Sequence, residues 1–411
     1  MADQKRQDLV GDGKEEASLR TDPKNAFQRN GRCVKMPFRM LANTESSMNG
    51  RSGAWNLLGK ILDDGWEVFE TIGWDSATLE LTDRYNGTGG NFSVSYKVKK
   101  GGRVAFLKAI DLSRAMNTPN PIAELQVITA AYQFESDILE ICAGAKMDRV
   151  VVAIASGSIK TGQNLQDLAP YLIFDLADGD VRRRLQKVTE RHSRVAWWMR
   201  SLHHTAIGLH QLHTIQVTHQ DIKPSNILSF DSSAGFKIAD LGRAQVDTLQ
   251  GPHSGMLFSG DPNYAPLEIL YGGVTSDVKL LRTTSDLYML GSMIFFYCLG
   301  FGLTQKIIFD LSTDLRPYPF GGWTGSYGQI SPLLQNKFTD QLQQLTEAVS
   351  DLPIGRDLVK AAFELCNPDP IMRGHPLSHS SGGNPYSLER YISLFDALAK
   401  RSDIEAKRKN D

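Results

Sequence analysis

Within the stretch His219-Gln220-Asp221-Ile222-Lys223-Pro224-Ser225-Asn226, a carboxylate and a carboxamide stand five positions apart. On one short loop the Asp221 carboxylate can orient and deprotonate a hydroxyl, while the Asn226 amide oxygen takes a metal ion. Lys223, two residues after the acid, can hold a transferring phosphoryl group by charge. Phosphoryl transfer asks little covalent chemistry of a protein; positioning and charge neutralisation do most of it. A polar surface loop can carry the same eight residues, so the reading depends on the elements that would position them.

The chain has 411 residues, enough for two or three compact units with sizeable cores. Its 41% hydrophobic and 22% charged residues are ordinary globular values. A formal net charge of -1 gives no global basic field, so neither nucleic acid nor an acidic membrane is an expected partner. Cys33, Cys142, Cys298 and Cys366 are scattered without a C-x-x-C pair, which argues against a disulfide framework or zinc site. That usage, with a polar start lacking an apolar signal core, leads to the expectation of a cytoplasmic protein. The uncharged run from Leu287 to Leu303 is slightly short for a membrane span and holds three glycines. A buried core helix explains it.

Residues 1–54 read as a polar, mobile tail. Leu57, Leu58, Ile61 and Leu62 have helical spacing. Trp66–Ile72, Val94–Val98 and Val104–Ile110 read as strands, with a glycine-rich turn at Gly87-Thr88-Gly89-Gly90 and a hairpin at Lys100–Arg103. Backbone N–H groups in such a glycine turn can approach phosphate oxygens. Lys108 is a lone charge in an apolar strand and must be solvated, paired or directed at a ligand. A helix is expected over about Ile122–Ala143. Val150–Ile154 and Tyr171–Phe174 read as buried strands, separated by a polar loop over Ser156–Ala169. Val195, Met199, Leu202, Ala206 and Leu209 mark one face of a long helix, and its His203, His204, His210 and His213 are read as surface or packing residues. Ile227–Phe230 and Phe236–Ala239 flank a turn and read as a hairpin. Leu388, Tyr391, Ile392, Phe395 and Leu398 mark a closing amphipathic helix, followed by a frayed end over 401–411.

In this setting HQDIKPSN resembles the catalytic loop of protein kinases, H-R-D-L-x-x-x-N, with Gln220 where Arg is usual. Lys108 is similar to the strand lysine of V-A-I-K, with Phe106 where Ala is usual. Asp240-Leu241-Gly242, nineteen residues after Asp221, is similar to D-F-G. Gly260–Glu268 resembles the end of a kinase activation segment, with Asp261 where Thr is usual. Ser285–Gly291 resembles the start of the central helix of the larger lobe, and Asn367–Arg373 the late D-P-x-x-R motif.

The resemblance implies an α+β, bilobal kinase-like fold: a small β-rich lobe over 55–177 and a larger helical lobe over 178–400. It implies ATP and Mg²⁺, with Gly89, Gly90 and Lys108 at the phosphates and Asp175 and Ala177 in the adenine hinge. Glu135 is chosen as the partner of Lys108, with Glu124 as the alternative. Asn226 and Asp240 would hold the metal, Asp221 the acceptor proton and Lys223 the moving phosphoryl charge. His219, Asp286, Glu268 and Arg373 would be structural, with Arg373 paired to Glu268. The implied activity is transfer of the γ-phosphate to Ser or Thr hydroxyls of proteins, autophosphorylation included. The alternatives are a pseudokinase scaffold and, third, a small-molecule kinase. Arg at position 220 would call for an activation-loop phosphate to neutralise it, so neutral Gln220 implies activity without one. Thr248, Ser254 and Ser259 are the candidate phosphosites. Polar stretches at Asp75–Asn86 and Leu270–Thr284 read as insertions.

Overall fold

The computed structural model describes residues 27–29, 32–34, 53–76, 92–187, 190–230, 235–273 and 276–410. The chain divides into two units, Met1–Thr44 and Glu45–Asp411. In the first, Phe27–Arg29 pairs antiparallel with Arg32–Val34. The remainder of the expected tail up to Ser52, together with Gly87–Asn91, lies outside the described residues.

The second unit opens with a 3₁₀ turn at Gly53–Trp55. The Tyr96 hydroxyl donates to the Ala54 carbonyl at 2.7 Å, and Trp55 Nε1 donates to Asp111 at 2.8 Å. The expected helix at Leu57–Leu62 does not form. Gly59 and Gly65 adopt φ of +78° and +80°, a left-handed backbone that breaks a helix but suits tight turns. Leu57 and Leu62 are nonetheless buried, while Leu58 and Ile61 face solvent.

Five antiparallel strands follow: β1 (Glu67–Thr71), β2 (Ser93–Lys100), β3 (Arg103–Ile110), β4 (Ala153–Lys160) and β5 (Leu168–Asp175), in the spatial order β1-β2-β3-β5-β4. Here the expected loop over 156–169 is corrected. Ser156 to Lys160 pair with Leu172 to Leu168, because an edge strand with one wet face tolerates polar residues. Helix α1 (Pro121–Gly144) crosses this sheet. The Asn120 side chain accepts the Ala123 N–H, and Pro121 occupies the first turn, where its missing donor is not needed.

After the chain leaves β5, the short strand β6 (Gly179–Asp180) pairs with β8 (Ile227–Phe230), which pairs in turn with β9 (Gly235–Ile238). Between them run α2 (Arg191–Thr214) and β7 (Val217–Thr218). Strand β10 (Gln245–Val246) pairs back onto β7. The rest is helical: α3 (Val278–Leu299), α4 (Leu303–Phe309), α5 (Tyr327–Ala348), α6 (Gly355–Cys366) and α7 (Glu389–Asn410). Two expectations change here. Helix α3 starts at Val278, so the supposed insertion up to Thr284 is partly its first two turns, capped by Asp277. Helix α7 continues to Asn410 instead of fraying at 401, because Ser402 and Ala406 are buried and Asp403 pairs with Arg200 of α2.

Of the apolar run expected as a core helix, Leu287–Leu299 is one; Gly300 caps it in a left-handed conformation, and Leu303 opens α4. Every residue from Thr284 to Tyr297 is buried. Among the described residues no single helix is long and apolar enough to cross a membrane; α3 and α4 reach that length only as a pair bent by 75°. One apolar core lies on the outer side of the five-stranded sheet, around Val68, Tyr96, Leu107 and Ile173. A second joins α1 to the larger lobe, from Ile138 and Leu172 to Leu212, Val217, Leu241 and Val246. This shared core fixes the geometry of the cleft between the lobes.

Candidate active site

Strand β3 alternates. Ala105, Leu107 and Ala109 enter the outer core, which turns Phe106 and Lys108 toward α1 and the cleft. Lys108 Nζ reaches both carboxylate oxygens of Glu135 at 2.7 Å. Burial works against the lysine charge, but Glu135 and then Asp240 outweigh it, so the pKa of Lys108 stands above its usual value. Glu135 therefore takes the place expected of it. Glu124 sits in the first turn of α1, and Glu140 is exposed.

Phe106 contacts Phe174, its register partner on β5, at a ring distance of 6.3 Å. Both rings belong to the shared core, and so does Ala177. Asp175 ends β5 with an exposed side chain paired to Arg103, and the Asp178 N–H binds the Ser229 carbonyl at 2.9 Å. The 175–178 link is thus strapped to the larger lobe by β8. Gly89 and Gly90 fall outside the described residues. Phe92, just before β2, packs beside Ile110, Leu112 and Ile128.

The loop at 219–226 takes its shape from α3. Buried Asp286 accepts the backbone N–H groups of His219 (2.9 Å) and Gln220 (2.8 Å), and it also contacts His213 Nε2 at 2.8 Å. Gln220 is held at φ +66°, uncommon for a non-glycine residue. His219 Nδ1 accepts the Asp221 N–H, so Nε2 carries the proton and donates to the Ala239 carbonyl at 3.2 Å. That bond ties the loop to the residue before Asp240.

Asp221 is buried but fully engaged. One oxygen accepts the Asp261 N–H at 2.9 Å; the other meets Lys223 Nζ at 2.9 Å and Asn226 Nδ2 at 3.2 Å. Burial pushes its carboxyl above the usual range, Lys223 offsets part of this, and nearby Asp240 adds to it. For Lys223, burial is outweighed by the charges of Asp221 and then Asp261, so its pKa is raised.

The Ala239 N–H binds the Asn226 carbonyl at 2.8 Å, which brings Asp240 beside Asn226. Asp240 has φ +66°, and Leu241 behind it fills the shared core beneath α1. Asn226 and Asp240 offer hard oxygen donors. That set suits Mg²⁺, which needs one or two protein oxygens and takes the rest from water and phosphate. Among the described residues, no group of three His, Cys, Asp or Glu side chains could hold a metal.

The segment from Asp240 to Glu268 is pinned at several points. Just before β10, Arg243 donates to the Ser259 carbonyl and the Ser259 hydroxyl returns a bond to the Arg243 carbonyl. Ser259 is thereby buried, which removes it as an accessible phosphosite; Thr248 is exposed. A Cβ on Gly260 would lie 1.9 Å from the Gln220 carbonyl, so only glycine fits there. Glu268 and Arg373, both fully buried, form a two-pronged pair at 2.9 Å, as expected.

Three contributors escaped the sequence reading: His213 as a partner of Asp286, Asp261 as an N–H donor to Asp221, and Gly260. A glycine beside the D-P-N-Y turn was a usable signal for the last. The first two depend on contacts across 73 and 40 residues.

The protein kinase domain family matches residues 87–312, more than half of the chain. Among curated proteins, the serine/threonine-protein kinase SSN3 of Aspergillus oryzae is 29% identical over 195 residues, covering 45% of this chain and 43% of that protein. Serine/threonine-protein kinase par-4 of Caenorhabditis elegans is 32% identical over 104 residues, covering 25% and 16%. Cyclin-dependent kinase C-3 of rice is 32% identical over 102 residues, covering 25% and 29%. The aligned stretches therefore span less than half the length of these relatives. The cleft, its lysine–glutamate pair, the anchored acidic loop and the family match lead to one conclusion: this chain belongs to the protein kinase family.

Proposed function

We propose that the protein is an ATP- and Mg²⁺-dependent protein kinase acting on Ser and Thr hydroxyls. The observation that carries this is the Asp221 constellation: a buried carboxylate held by Asn226, Lys223 and the Asp261 N–H, across the cleft from the Lys108–Glu135 pair. Asp221 orients the acceptor hydroxyl and takes its proton. Lys223 lies beside it to balance negative charge on the group in transfer. Lys108, fixed by Glu135, orients phosphate oxygens. Asn226 and Asp240 would hold Mg²⁺, which when bound neutralises phosphate charge. The Asp175–Ala177 link supplies backbone groups for the adenine, and the backbone at Gly89 and Gly90 would approach the phosphates.

A second reading, a nucleotide-binding scaffold without transfer, draws support from Phe106, whose ring packs on Phe174 in the cleft-side core. One assay separates the readings: transfer from γ-labelled ATP to the chain itself, to a generic protein and to small alcohols. Asp221→Asn serves as the control. The kinase reading expects protein labelling that the substitution abolishes. ATP binding without transfer supports the scaffold, labelled alcohols a small-molecule kinase, and transfer surviving Asp221→Asn removes Asp221 from its role.

A further inference from the structure

We infer that Asp261 determines substrate specificity: its carboxylate selects acceptor peptides that carry a lysine or arginine immediately beside the phosphorylated Ser or Thr. The inference rests on the kinase reading above and adds to it the charge of the substrate.

The place of the acceptor follows from the lone pairs of Asp221. A carboxylate offers about four. Oδ2 meets Lys223 Nζ at 2.9 Å and Asn226 Nδ2 at 3.2 Å, while Oδ1 accepts the Asp261 N–H at 2.9 Å. These contacts leave a lone pair on Oδ1 for the incoming hydroxyl. A hydroxyl about 2.7 Å from Oδ1 lies within roughly 6 Å of the Asp261 nitrogen. Consecutive Cα atoms are only about 3.8 Å apart, so the residue next to the acceptor brings its side chain to Asp261.

The Asp261 carboxylate is fixed and aimed. Its Oδ1 accepts the backbone N–H of Asn263 at 3.0 Å and the Asn263 Nδ2 at 2.9 Å, a turn that locks its rotation. Oδ2 faces Lys223 Nζ at 3.7 Å, beyond hydrogen-bond length. The Asp261 side chain is 30% exposed, against 5% for Asp221, so it stands at the mouth of the site. The charges there do not cancel. Lys223 balances one of its two carboxylates and leaves the other, and nearby Asp240 adds to the negative side. Arg182, which acts on the Tyr264 hydroxyl, is itself paired with Asp180 at 3.8 Å. The threonine usual at position 261 in kinases would add no charge. A cationic neighbour of the acceptor gains a charge-assisted bond to Oδ2, and an anionic one is repelled.

The test is kcat/KM of the full chain for three peptides that differ only in the two residues flanking a central serine: lysine, glutamine or glutamate. Lysine should exceed glutamine roughly ten-fold, the scale of one charge-assisted bond. Glutamate should be lowest, and high salt should compress the order. Asp261→Asn keeps an oxygen for the Asn263 N–H, and Asp261→Thr supplies the usual residue. Both remove the charge and should bring the lysine and glutamine peptides within about two-fold of each other. Each ratio is taken within one protein, so a general loss of activity or stability cancels, and a merely structural role would leave the ratio unchanged. Equal use of the peptides by the parent, or an undiminished lysine preference in either variant, overturns the assignment and leaves the kinase reading standing. Absence of labelling from every peptide overturns both.

Discussion

Removing the Glu268 carboxylate should be among the most damaging single changes in the larger lobe, and the reason can be counted. All five guanidinium N–H groups of Arg373 are used. Nη1 donates to Glu268 Oε1 (2.9 Å) and the Thr284 carbonyl (3.1 Å). Nη2 donates to Glu268 Oε2 (2.9 Å) and the Asn367 carbonyl (2.7 Å), and Nε also reaches Asn367 (2.9 Å). The Tyr288 ring lies 5.0 Å from the guanidinium carbon. Burial opposes the charge on Arg373, and Glu268 more than compensates, which holds its pKa above the usual value. Glu268→Ala deletes two charge-assisted bonds and leaves a fully buried cation with no counter-charge. Two such bonds at about 1.5–3 kcal/mol each agree with the about 3–5 kcal/mol measured when one partner of a buried pair is removed. Arg373→Met should be equally costly, since it strands the carboxylate. The double variant Glu268→Ala/Arg373→Met removes both charges, so its loss should fall short of the sum of the singles by about 2–3 kcal/mol. Urea unfolding of all four proteins, followed by far-ultraviolet circular dichroism and by tryptophan emission, measures the cycle and checks that the two transitions coincide. Single variants within about 1 kcal/mol of the parent, or a strictly additive double variant, refute the reasoning.

Four further outcomes are expected. Asp221 must be ionised to take a proton, and burial raises its pKa; the acid limb of kcat/KM for peptide phosphorylation should therefore lie above the ordinary carboxylate range, and a limb within that range contradicts the buried-base geometry. Neutral Gln220 is buried, with its amide donating to the Arg282 carbonyl at 2.8 Å, so phosphatase-treated protein should keep its transfer activity; inert dephosphorylated protein rescued by Thr248→Glu or Ser254→Glu would falsify this. Gly260→Ala should lower activity and unfolding midpoint together, because the added Cβ meets the Gln220 carbonyl at 1.9 Å; a variant with parental kinetics shows that the loop yields. Burial lowers His204 and His253 from 6.5 to about 4. Between those values the unfolded chain binds the protons and the folded chain does not, so stability is full above pH 6.5 and declines as pH falls toward 4. Urea midpoints at pH 7 and pH 5 test this, and a loss smaller in the His204→Gln variant identifies the residue.

Local chemistry made the catalytic loop legible. Asp221, Lys223 and Asn226 lie within one short stretch, and their neighbours Asp240, Asp286 and Glu268 stand in recognisable surroundings. Lys108 could be found because an unaccompanied charge in an apolar strand needs a partner. Glu135 is chosen over Glu124 as that partner, and the 2.7 Å contacts agree with the choice. Less was legible where tertiary contacts override the local pattern. Leu57–Leu62 has helical spacing, yet Gly59 and Gly65 in left-handed conformations turn the chain. Ser156–Lys160 is polar but is zipped onto β5. The end of α7 looks like a charged tail, and only α2 beside it shows why it stays helical. Both Asp261 and His213 contribute through partners far along the sequence, for which single-residue spacing gives no sign.

The dependence of the 219–226 loop on Asp286 also orders events during synthesis. The acceptors for the backbone of His219 and Gln220 lie 67 and 66 residues further along the chain. A nascent chain can have completed the sheet, α1 and α2 while the loop still lacks its anchor. Only when α3 has emerged and buried its apolar length against the other helices can Gln220 be held in its left-handed conformation. The site is therefore assembled by the core of the larger lobe, and a chain truncated before α3 carries every side chain of the HQDIKPSN stretch without its geometry. Such a coupling between late packing and site assembly keeps incomplete chains from acting before their folding is finished.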